Sequence, residues 1–501
     1  MKIDHSRAEP LTVPADLVVV ACDEDSLAGT DSRLGRLDPQ VAELLRRAAA
    51  EERFRARAGQ TLLMNAPAHL SARRVALIGL GRVTASTVSE LRAAAGTAVR
   101  LARNAGAARV AFAWSGEVAV DPTHALEAAA EGALLGAYRF DKYLTGEDSK
   151  IDAPTALTLC PPETAARVTD ADADAALARA RSTTTAVARA RDLVNEPAGY
   201  MTPTRIAEAA RAWVADAGAS IEVLDRAACA TLGMGLFLAV AQGSSEEPRF
   251  VHVVWKPAGA KRRVVLIGKG VSFDSGGLSL KTNEGMLDMK TDMAGAAAVL
   301  ATTAAAAAEK LPVEIHALAA CTENMPSGSS YKLGDVIRSM SGKTVEINNT
   351  DAEGRLTLAD ALSYGLRLAP HAVLDFATLT GACVVALGPH TAGVMGNDEP
   401  LAAAFLAAAG RAGEEMWRLP LPKRLGEQLK SEIADLKNTG ERWGGALTAG
   451  LFLSEFVGDV PWVHVDIAGP SSASKDFGHV GRGGTGFAVA SILDFLRHGA
   501  G

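Results

Sequence analysis

Short apolar runs alternate with longer stretches rich in alanine and charged residues, and this alternation constrains the fold more than any other feature of the sequence. In the first half, VALIGLG (75–81) precedes a helical pattern around 86–105, which VAFAW (110–114) follows. The second half repeats the alternation in VVLIG (264–268), AGAAAVLATTAAAAAEK (294–310), VEIHALAA (313–320), TLADALSYGLRLA (357–369) and AVLDFATL (372–379). Strands that alternate with helices are typical of parallel βαβ units, and continuously apolar strands fit a sheet covered on both faces. The sequence therefore predicts an α/β protein with mainly parallel sheets.

The length of the chain indicates two domains, because its 501 residues exceed the roughly 250–300 that a single hydrophobic core usually serves. Residues 170–194 contain neither glycine nor proline, which favours one long helix, and NEPAGYMTP (195–203) ends it. We therefore expect an N-terminal α/β domain over 1–168, a connecting helix over 169–194 and a C-terminal catalytic domain over 195–501.

Composition narrows the class of protein and its surroundings. The chain carries 51 Lys and Arg against 58 Asp and Glu, a net charge of −7, so nucleic acid is not expected as a partner. The five cysteines are widely separated and form no CxxC pair, which predicts reduced thiols. The N-terminus lacks the apolar stretch of a secretory signal, and we find no uninterrupted apolar span of the length a membrane helix needs. These features predict a cytoplasmic location and no membrane partner.

Charged residues follow three of the predicted strands, at the edge where open α/β sheets bind ligands. The segment after VVLIG contains Lys269, Asp274 and Lys281 in what we expect to be a glycine-punctuated loop. Asp292 lies just before the alanine-rich helix. The octapeptide NTDAEGRL (349–356), which precedes another helix, contributes Asp351, Glu353 and Arg355.

Four of these residues are carboxylates, and their clustering is the main functional signal. If residues 351–353 are extended, Asp351 and Glu353 point the same way. Taken alone, acids ahead of a helix also serve as caps or partners of the helix dipole. Together with Asp274 and Asp292, however, they would repel one another unless cations bind between them. Two divalent metals about 3.5–4 Å apart would satisfy the cluster, and the absence of histidine favours hard ions or borderline ones such as Mn²⁺ and Zn²⁺.

The basic residues fit hydrolysis at such a centre. A lysine can bind a metal only as a neutral amine, and burial with neighbouring cations would lower the pKa of Lys269 enough for this. Lys281 and Arg355 could stabilise an oxyanion or hold a small anion, which suits a tetrahedral intermediate. A phosphate-binding loop is a poor alternative, because GKG here lacks the GxxxxGK[ST] spacing.

Three segments, GKGVSFDSGGLSLK (268–281), MKTDMAGAAAV (289–299) and NTDAEGRL (349–356), resemble the M17 leucyl aminopeptidase family, also called cytosol aminopeptidases. Further similarity lies in LVNEPAGYMTP (193–203), DFATLTGA (375–382) and PWVHVDIAGP (461–470), so that the resemblance covers the chain from about residue 185 to the end. It implies a macro-like N-terminal α/β domain, a C-terminal αβα-sandwich catalytic domain and assembly as a homo-hexamer.

The resemblance also implies roles for the metal ligands. Lys269 and Asp292 correspond to ligands of one metal, Asp351 to a ligand of the other, and Asp274 and Glu353 to bridges between them. A hydroxide bridging two Mn²⁺ or Zn²⁺ ions would attack the peptide carbonyl.

For the remaining chemistry, Lys281 corresponds to the lysine that polarises that carbonyl, and Arg355 to the arginine that holds a bicarbonate acting as general base. The implied substrates are peptides with a free N-terminus and a leucine-like first residue. The positions that correspond to the pocket for that side chain are Met289, Thr378, Gly381 and Ala468.

Two other functions remain as alternatives. Some bacterial relatives bind DNA in addition to cleaving peptides, although the net charge argues against this here. The carboxylate cluster by itself would also permit a two-metal phosphoesterase, against which the octapeptide and the lysine ligand weigh.

Overall fold

The computed structural model describes residues 1–28, 34, 37–82, 87–114, 121–147, 152–163, 167–215 and 217–499. The chain forms two compact units. The first comprises Met1–Thr184 and Ser474–Arg482, and the second Thr185–Ala473 and Gly483–Gly501. This division falls inside the long helix Asp170–Asn195 and assigns residues 474–482 to the first unit. The domain bounds given above stay a prediction.

The first unit is built on a six-stranded sheet in which all neighbouring strands are parallel except one edge pair. Its strands are β1 (Lys2–His5), β2 (Leu17–Cys22), β3 (Thr61–Asn65), β4 (Arg74–Gly79), β5 (Arg109–Trp114) and β6 (Ala156–Cys160), in the order β1-β6-β5-β2-β4-β3. Strand β2 is buried along its whole length, and the consecutive residues Val19 and Val20 belong to separate core clusters. The sheet is therefore covered on both faces, as its apolar strands predict.

The helices of the first unit begin at recognisable caps. Their bounds are α1 (Glu24–Ala28), α2 (Pro39–Glu51), α3 (Val88–Asn104), α4 (Pro122–Ala137) and the start of α5 (Asp170–Asn195). Asp38 and Asp121 each precede a proline and accept backbone N–H groups of the first turn, which is a favoured helix start. The helix predicted around 86–105 is α3, although residue 86 lies outside the described residues.

The second unit contains an eight-stranded sheet whose four central strands are parallel. The strands are β7 (Ser220–Leu224), β8 (Arg249–Trp255), β9 (Arg263–Asp274), β10 (Glu314–Asn324), β13 (Ala372–Ala377), β14 (Ala392–Gly396), β15 (Met416–Arg418) and β17 (Trp462–Asp466), in the order β15-β14-β17-β13-β9-β10-β8-β7. Two small sheets use β11 (Val336–Arg338), β12 (Thr344–Glu346) and β16 (Leu436–Lys437), and β18 (Ser472–Ala473) with β19 (Gly483–Gly484).

Helices cover both faces of this central sheet. They are α6 (Pro203–Val214), α7 (Arg226–Thr231), α8 (Gly235–Val240), α9 (Asn283–Leu287), α10 (Ala294–Ala308), α11 (Gly354–Leu366), α12 (Gly381–Leu387), α13 (Glu399–Ala412), α14 (Gly445–Ser454) and α15 (Val489–His498). On β9, Val265 and Ile267 lie against Gly365 of α11, whereas Gly268 lies against Gly295 and the start of α10. Because successive strand residues face opposite sides, α10 and α11 lie on opposite faces and form an αβα arrangement.

The alanine-rich segment is a closely packed helix, as predicted. A Cβ atom on Gly268 would lie 2.4 Å from the carbonyl oxygen of Gly295, so small residues on both sides bring α10 unusually near the sheet. Together with the preceding 3₁₀ helix it forms the stretch Met289–Ala308, which is long and apolar enough to cross a membrane but is 94% buried in the protein. This stretch is therefore a core element.

Strand β9 differs from the sequence prediction. We expected a loop after residue 268, but the strand continues to Asp274 because β10 pairs with it as far as Asn324. Gly268 and Gly270 accommodate close neighbours and do not end the strand. Lys269 and Asp274 are therefore fixed on a strand of the central sheet.

Candidate metal centre and active site

The predicted site residues gather where β9 runs past its neighbour β13. Pairing between these strands ends at Phe376 and Gly268, so that residues 269–274 have an open side. Lys269 lies at the start of this open stretch and Asp274 at its end, and both are buried. Two other segments reach the same place. A 3₁₀ helix, Met289–Met293, carries Asp292 just before α10, and the turn before α11 carries the acids of the octapeptide.

The octapeptide acids converge, but not as the sequence suggested. Asp351 lies in a turn, and Glu353 has helical angles (φ −75°, ψ −36°) as the residue preceding α11. The segment is therefore not extended. One carboxylate oxygen from each of Asp274, Asp351 and Glu353 lies within 4.8 Å of the other two. The bend at the helix start brings the two acids of the octapeptide together with the strand aspartate.

Two lysines lie among the four carboxylates. Lys269 Nζ is 2.8 Å from Asp292 Oδ1 and 2.7 Å from Glu353 Oε1. Lys281 Nζ is 2.9 Å from Asp274 Oδ2 and also contacts Asp351 Oδ1. Each ammonium group therefore lies between a pair of acids, and the four acids and two lysines form one charged cluster.

Burial and mutual repulsion make this cluster unfavourable for negative charge. Burial, followed by the nearby Glu353, raises the pKa of Asp274. Burial raises the pKa of Asp292 well above its usual value and also raises that of Asp351. Carboxylates whose pKa is raised in this way gain most from added cations.

The neighbouring carboxylates dominate the charge state of the two lysines. Burial disfavours their charged form, but the surrounding carboxylates outweigh it and raise the pKa of both Lys269 and Lys281. With only protein groups in the cluster, both side chains are therefore ammonium ions. A neutral Lys269 amine requires other cations to take over that charge.

Arg355 lies behind the acids. Its side chain is buried, its Nη1 donates to the carbonyl of Asn438 at 2.9 Å, and its Nε has no hydrogen-bond partner among the described residues. Burial lowers the pKa of Arg355 to about 10, so that it stays cationic at neutral pH. A buried guanidinium with an unused N–H is suited to hold a small anion.

The donor set fits divalent metal ions. Asp292 Oδ2 is buried and has no hydrogen-bond partner in the described part of the chain, although buried carboxylate oxygens are normally paired. Oxygen ligands with one potential amine suit Mn²⁺ or Zn²⁺.

Comparison with known proteins agrees with this geometry. The sequence model of the cytosol aminopeptidase family, catalytic domain, matches residues 188–493, and that of the family's N-terminal domain matches residues 18–147. The chain belongs to the cytosol aminopeptidase family. It is 41% identical over 498 residues to a probable cytosol aminopeptidase of Geobacter sp. (strain M21), covering 99% of this chain and 100% of that one. The corresponding protein of Syntrophotalea carbinolica is 42% identical over 490 residues, covering 97% and 98%.

Solved structures lead to the same family. A tomato leucine aminopeptidase mutant aligns with a TM-score of 0.87 and 31% identity, covering 99% of this chain and 96% of that one. The bottromycin maturation enzyme BotP in complex with Mn aligns with a TM-score of 0.84 and 36% identity, covering 97% and 100%. The two-domain α/β fold predicted from sequence is thereby confirmed, and the chain is an aminopeptidase-type enzyme of a metal-dependent family.

Three of the four positions that correspond to the family's side-chain pocket follow the ends of adjacent strands. Thr378 comes directly after β13, Gly381 begins α12, and Ala468 lies two residues beyond β17. Met289 is half-buried and lies three residues before Asp292 in the same 3₁₀ helix. Thr378 also contacts two of the candidate metal ligands, which the sequence did not indicate. Its hydroxyl donates to Asp292 Oδ1 at 2.7 Å, and its carbonyl accepts from Lys269 at 3.0 Å.

Sequence reasoning missed several polar residues that support the carboxylate cluster. Asn324, at the end of β10, donates to Asp274 Oδ1 at 2.8 Å and to the carbonyl of Thr350 at 2.9 Å. Tyr331 donates to the same carbonyl at 2.7 Å. Asn438 accepts from the backbone N–H of Asn348 at 2.9 Å, ahead of the octapeptide. Asn324 could have been found by extending the strand VEIHALAA to its end, but the others act through backbone groups that no sequence pattern marks.

Proposed function

We propose that the protein is a two-metal aminopeptidase that removes leucine-like residues from the unblocked N-terminus of peptides. The observation that carries this proposal is the meeting of Asp274, Asp351 and Glu353 within 4.8 Å at the open side of β9, next to the Lys269–Asp292 pair. The family membership supports the peptidase class, and the cluster supports the metal requirement.

In this proposal Lys269 and Asp292 would hold one divalent ion, Asp351 would hold the other, and Asp274 and Glu353 would contribute to both. Mn²⁺ and Zn²⁺ are the candidates. When bound, the two ions would supply a water-derived nucleophile at neutral pH and polarise the scissile carbonyl. Asn324 fixes the orientation of Asp274 through its 2.8 Å hydrogen bond, and Thr378 fixes that of Asp292.

Two basic side chains would assist the reaction, one by stabilising negative charge and the other by holding the general base. Lys281 is less buried than Lys269, and its ammonium group would stabilise the negative charge that develops on the carbonyl oxygen. Arg355 would hold bicarbonate through its free Nε, and the bicarbonate would act as general base. This role accounts for an arginine that is buried without an ion-pair partner among the described residues.

Substrate selection follows from the same groups. A free α-amino group would coordinate a metal ion through its lone pair, which acetylation removes, so blocked peptides should not bind productively. Met289, Thr378, Gly381 and Ala468 would surround the first side chain. The exposed start of α12 at Gly381, where a Cβ atom would meet nothing within 4 Å, supports open space on that side.

The setting of the enzyme is part of the proposal. We propose a cytoplasmic protein that assembles as a homo-hexamer, with an N-terminal domain over 1–168, a connecting helix over 169–194 and a catalytic domain over 195–501. A DNA-binding role has no support from the net charge of −7.

The experiment is the hydrolysis of a panel of aminoacyl anilides by metal-free protein reconstituted with Mn²⁺, Zn²⁺, Mg²⁺ or Co²⁺. We expect activity with Mn²⁺ or Zn²⁺, highest for leucyl anilide and absent for its N-acetylated form. Efficient cleavage of the acetylated substrate, or full activity without metal, would contradict the proposal.

A further inference from the structure

Asp466, the last residue of β17, is a fully buried carboxylate that the proposed chemistry does not use. Its Oδ1 accepts the backbone N–H of Leu379 at 3.2 Å and that of Ala468 at 3.1 Å, and its Oδ2 accepts the hydroxyl of Thr380 at 2.7 Å. No ion pair to Asp466 occurs within the described ranges of the chain. Burying a carboxylate is costly, and these three hydrogen bonds offset part of that cost.

The partners of Asp466 belong to two different loops. Strands β13 and β17 are parallel neighbours with Ala377 opposite Asp466, and regular pairing stops there. Beyond this point the N–H groups of Leu379 and Ala468 have lost the strand ladder, and because both residues are half-buried an acceptor within the protein stabilises them. One oxygen of Asp466 supplies it for both, which fixes the separation of the two backbones just past the sheet.

These loops carry three of the pocket positions. Leu379 and Thr380 lie between Thr378 and Gly381, and Ala468 is itself a pocket position. Thr380 also accepts the N–H of Cys383 at 3.0 Å and so caps α12, which links the carboxylate to the start of that helix. A single buried side chain therefore joins the two walls that would contact the first side chain of the substrate.

The metal ligands are held separately. Thr378 is attached to Asp292 and Lys269, and Asp274 is attached to Asn324, through bonds that do not involve Asp466. Loss of the Asp466 carboxylate should thus loosen residues 379–381 and 468 while the metal cluster keeps its supports.

We propose that Asp466 is a specificity-positioning residue, which sets the width of the first side-chain pocket by joining the loop after β13 to the loop after β17. This inference rests on the proposed function, because the pocket itself is assigned there. Asp466 does not touch the reacting atoms, so its removal should change which side chain is accepted more than whether the bond is cleaved.

The test compares Asp466→Ala with Asp466→Asn. The asparagine can keep its carbonyl oxygen toward Leu379 and Ala468 and offer its NH₂ to the Thr380 hydroxyl, whereas alanine leaves both N–H groups without an acceptor. The pair Thr380→Val and Thr380→Ser tests the third hydrogen bond together with the cap of α12, both of which serine can keep. For each protein we would measure kcat and KM on leucyl and glycyl anilides, together with bound metal.

We expect the ratio of kcat/KM for leucyl over glycyl anilide to fall by about 10-fold or more in Asp466→Ala, mainly through a higher KM for the leucyl substrate, with metal content unchanged. Asp466→Asn should restore most of the ratio, and Thr380→Val should lower it more than Thr380→Ser does.

The outcomes separate this inference from the proposed function. A leucine-selective wild type whose ratio is unchanged in Asp466→Ala would overturn the positioning role alone, as would an equal loss on both substrates accompanied by metal loss. If Asp466→Ala does not fold, an unchanged ratio in Thr380→Val overturns the role in the same way. A wild type that cleaves both anilides equally well would refute the pocket itself.

Discussion

Strands β9 and β10 bury ionisable groups at both ends, but the pKa shifts of the carboxyl groups at the two ends have opposite directions. At the starting end, Glu314 accepts from Arg263 Nε at 2.7 Å and pairs with His316 Nε2 at 2.9 Å. Burial opposes its charge, but these hydrogen bonds lower the pKa of Glu314 to about 2. At the other end, burial and neighbouring acids raise the pKa of Asp274 and Asp292.

The contrast distinguishes a carboxylate that protein groups satisfy from the candidate functional cluster. The carboxylate of Glu314 is fully satisfied by protein groups and stabilises the fold as an anion. The four acids at the opposite end share two lysines, and Asp292 Oδ2 has no hydrogen-bond partner among the described residues. Strongly perturbed pKa values cluster at functional sites, and here the direction of the perturbation distinguishes the two ends.

The largest effect is expected for Glu353→Gln, which removes charge from the acid-rich end without changing shape. An amide is a poor metal ligand, so bound metal should fall below that of wild type and turnover should drop by about 10³-fold or more. Metal analysis and leucyl anilide hydrolysis measure both. A variant that keeps both its metal and its rate would remove Glu353 from the centre.

Glu314→Gln is the matched control at the other end of the same strands. It should leave turnover within about threefold, because Glu314 lies at the opposite end of the strands from the proposed metal ligands. It should lower the free energy of unfolding at neutral pH by about 1.5–3 kcal/mol, the contribution usual for a hydrogen bond to a charged group, because it removes the charge that Arg263 and His316 bind. Urea denaturation and an activity assay test the two statements. Equal losses of activity in Glu353→Gln and Glu314→Gln would contradict the assignment of function to the acid-rich end alone.

Arg355→Ala should give the next largest effect, a rate loss of about 10²–10⁴-fold with metals retained, because general-base assistance typically contributes that much. Added bicarbonate should raise the rate of bicarbonate-depleted wild type far more than that of the variant. If Arg355 only supports the Asp351–Glu353 segment, the variant should instead lose metal or stability. Equal stimulation of both proteins by bicarbonate would exclude Arg355 from the mechanism.

Gly354→Ala should act on the same cluster without removing a charged group. A Cβ atom at this position would lie 2.5 Å from Lys269 Cε, so the lysine must move away from Glu353 and Asp292. Metal affinity should weaken by about 10–100-fold, the effect usual for groups that orient ligands. Gly410→Ala in α13, where a Cβ atom meets nothing within 4 Å, is the control and should bind metal normally.

The sequence identified the residues of the acid-rich end better than it identified their local structure. Asp351 and Glu353 do meet, but through a turn and a helix start and not through an extended segment. Gly270 was predicted to lie in a loop, whereas it allows β10 to approach β9 closely, as Gly268 does for α10. The sequence does not distinguish a glycine that avoids a clash from a glycine that ends a strand, because only the packing differs.

The supporting residues were beyond prediction for a different reason. Asn438 and Asp466 act by hydrogen-bonding groups that are distant in sequence, such as the Asn348 N–H and the Leu379 N–H. These partners are backbone atoms, which every residue has, so the sequence contains no complementary pattern to search for. The buried network around Glu314 was missed likewise, because His252 and His316 are far apart along the chain.

The smallest expected effect concerns that network. His252 Nε2 lies 2.9 Å from His316 Nδ1 and its Nδ1 lies 3.2 Å from the Tyr364 hydroxyl, and burial, with a contribution from His316, lowers the pKa of His252 to about 4. The unfolded chain takes up a proton near pH 6.5 and the folded chain only near pH 4, so the stabilising contribution is full above pH 6.5 and is lost as the pH falls toward 4. Between pH 7.5 and 5.0 the wild type should therefore lose about 2 kcal/mol of unfolding free energy that His252→Gln does not lose. Urea denaturation of both proteins at the two pH values measures this difference, and parallel losses would show that His252 is charged in the folded protein.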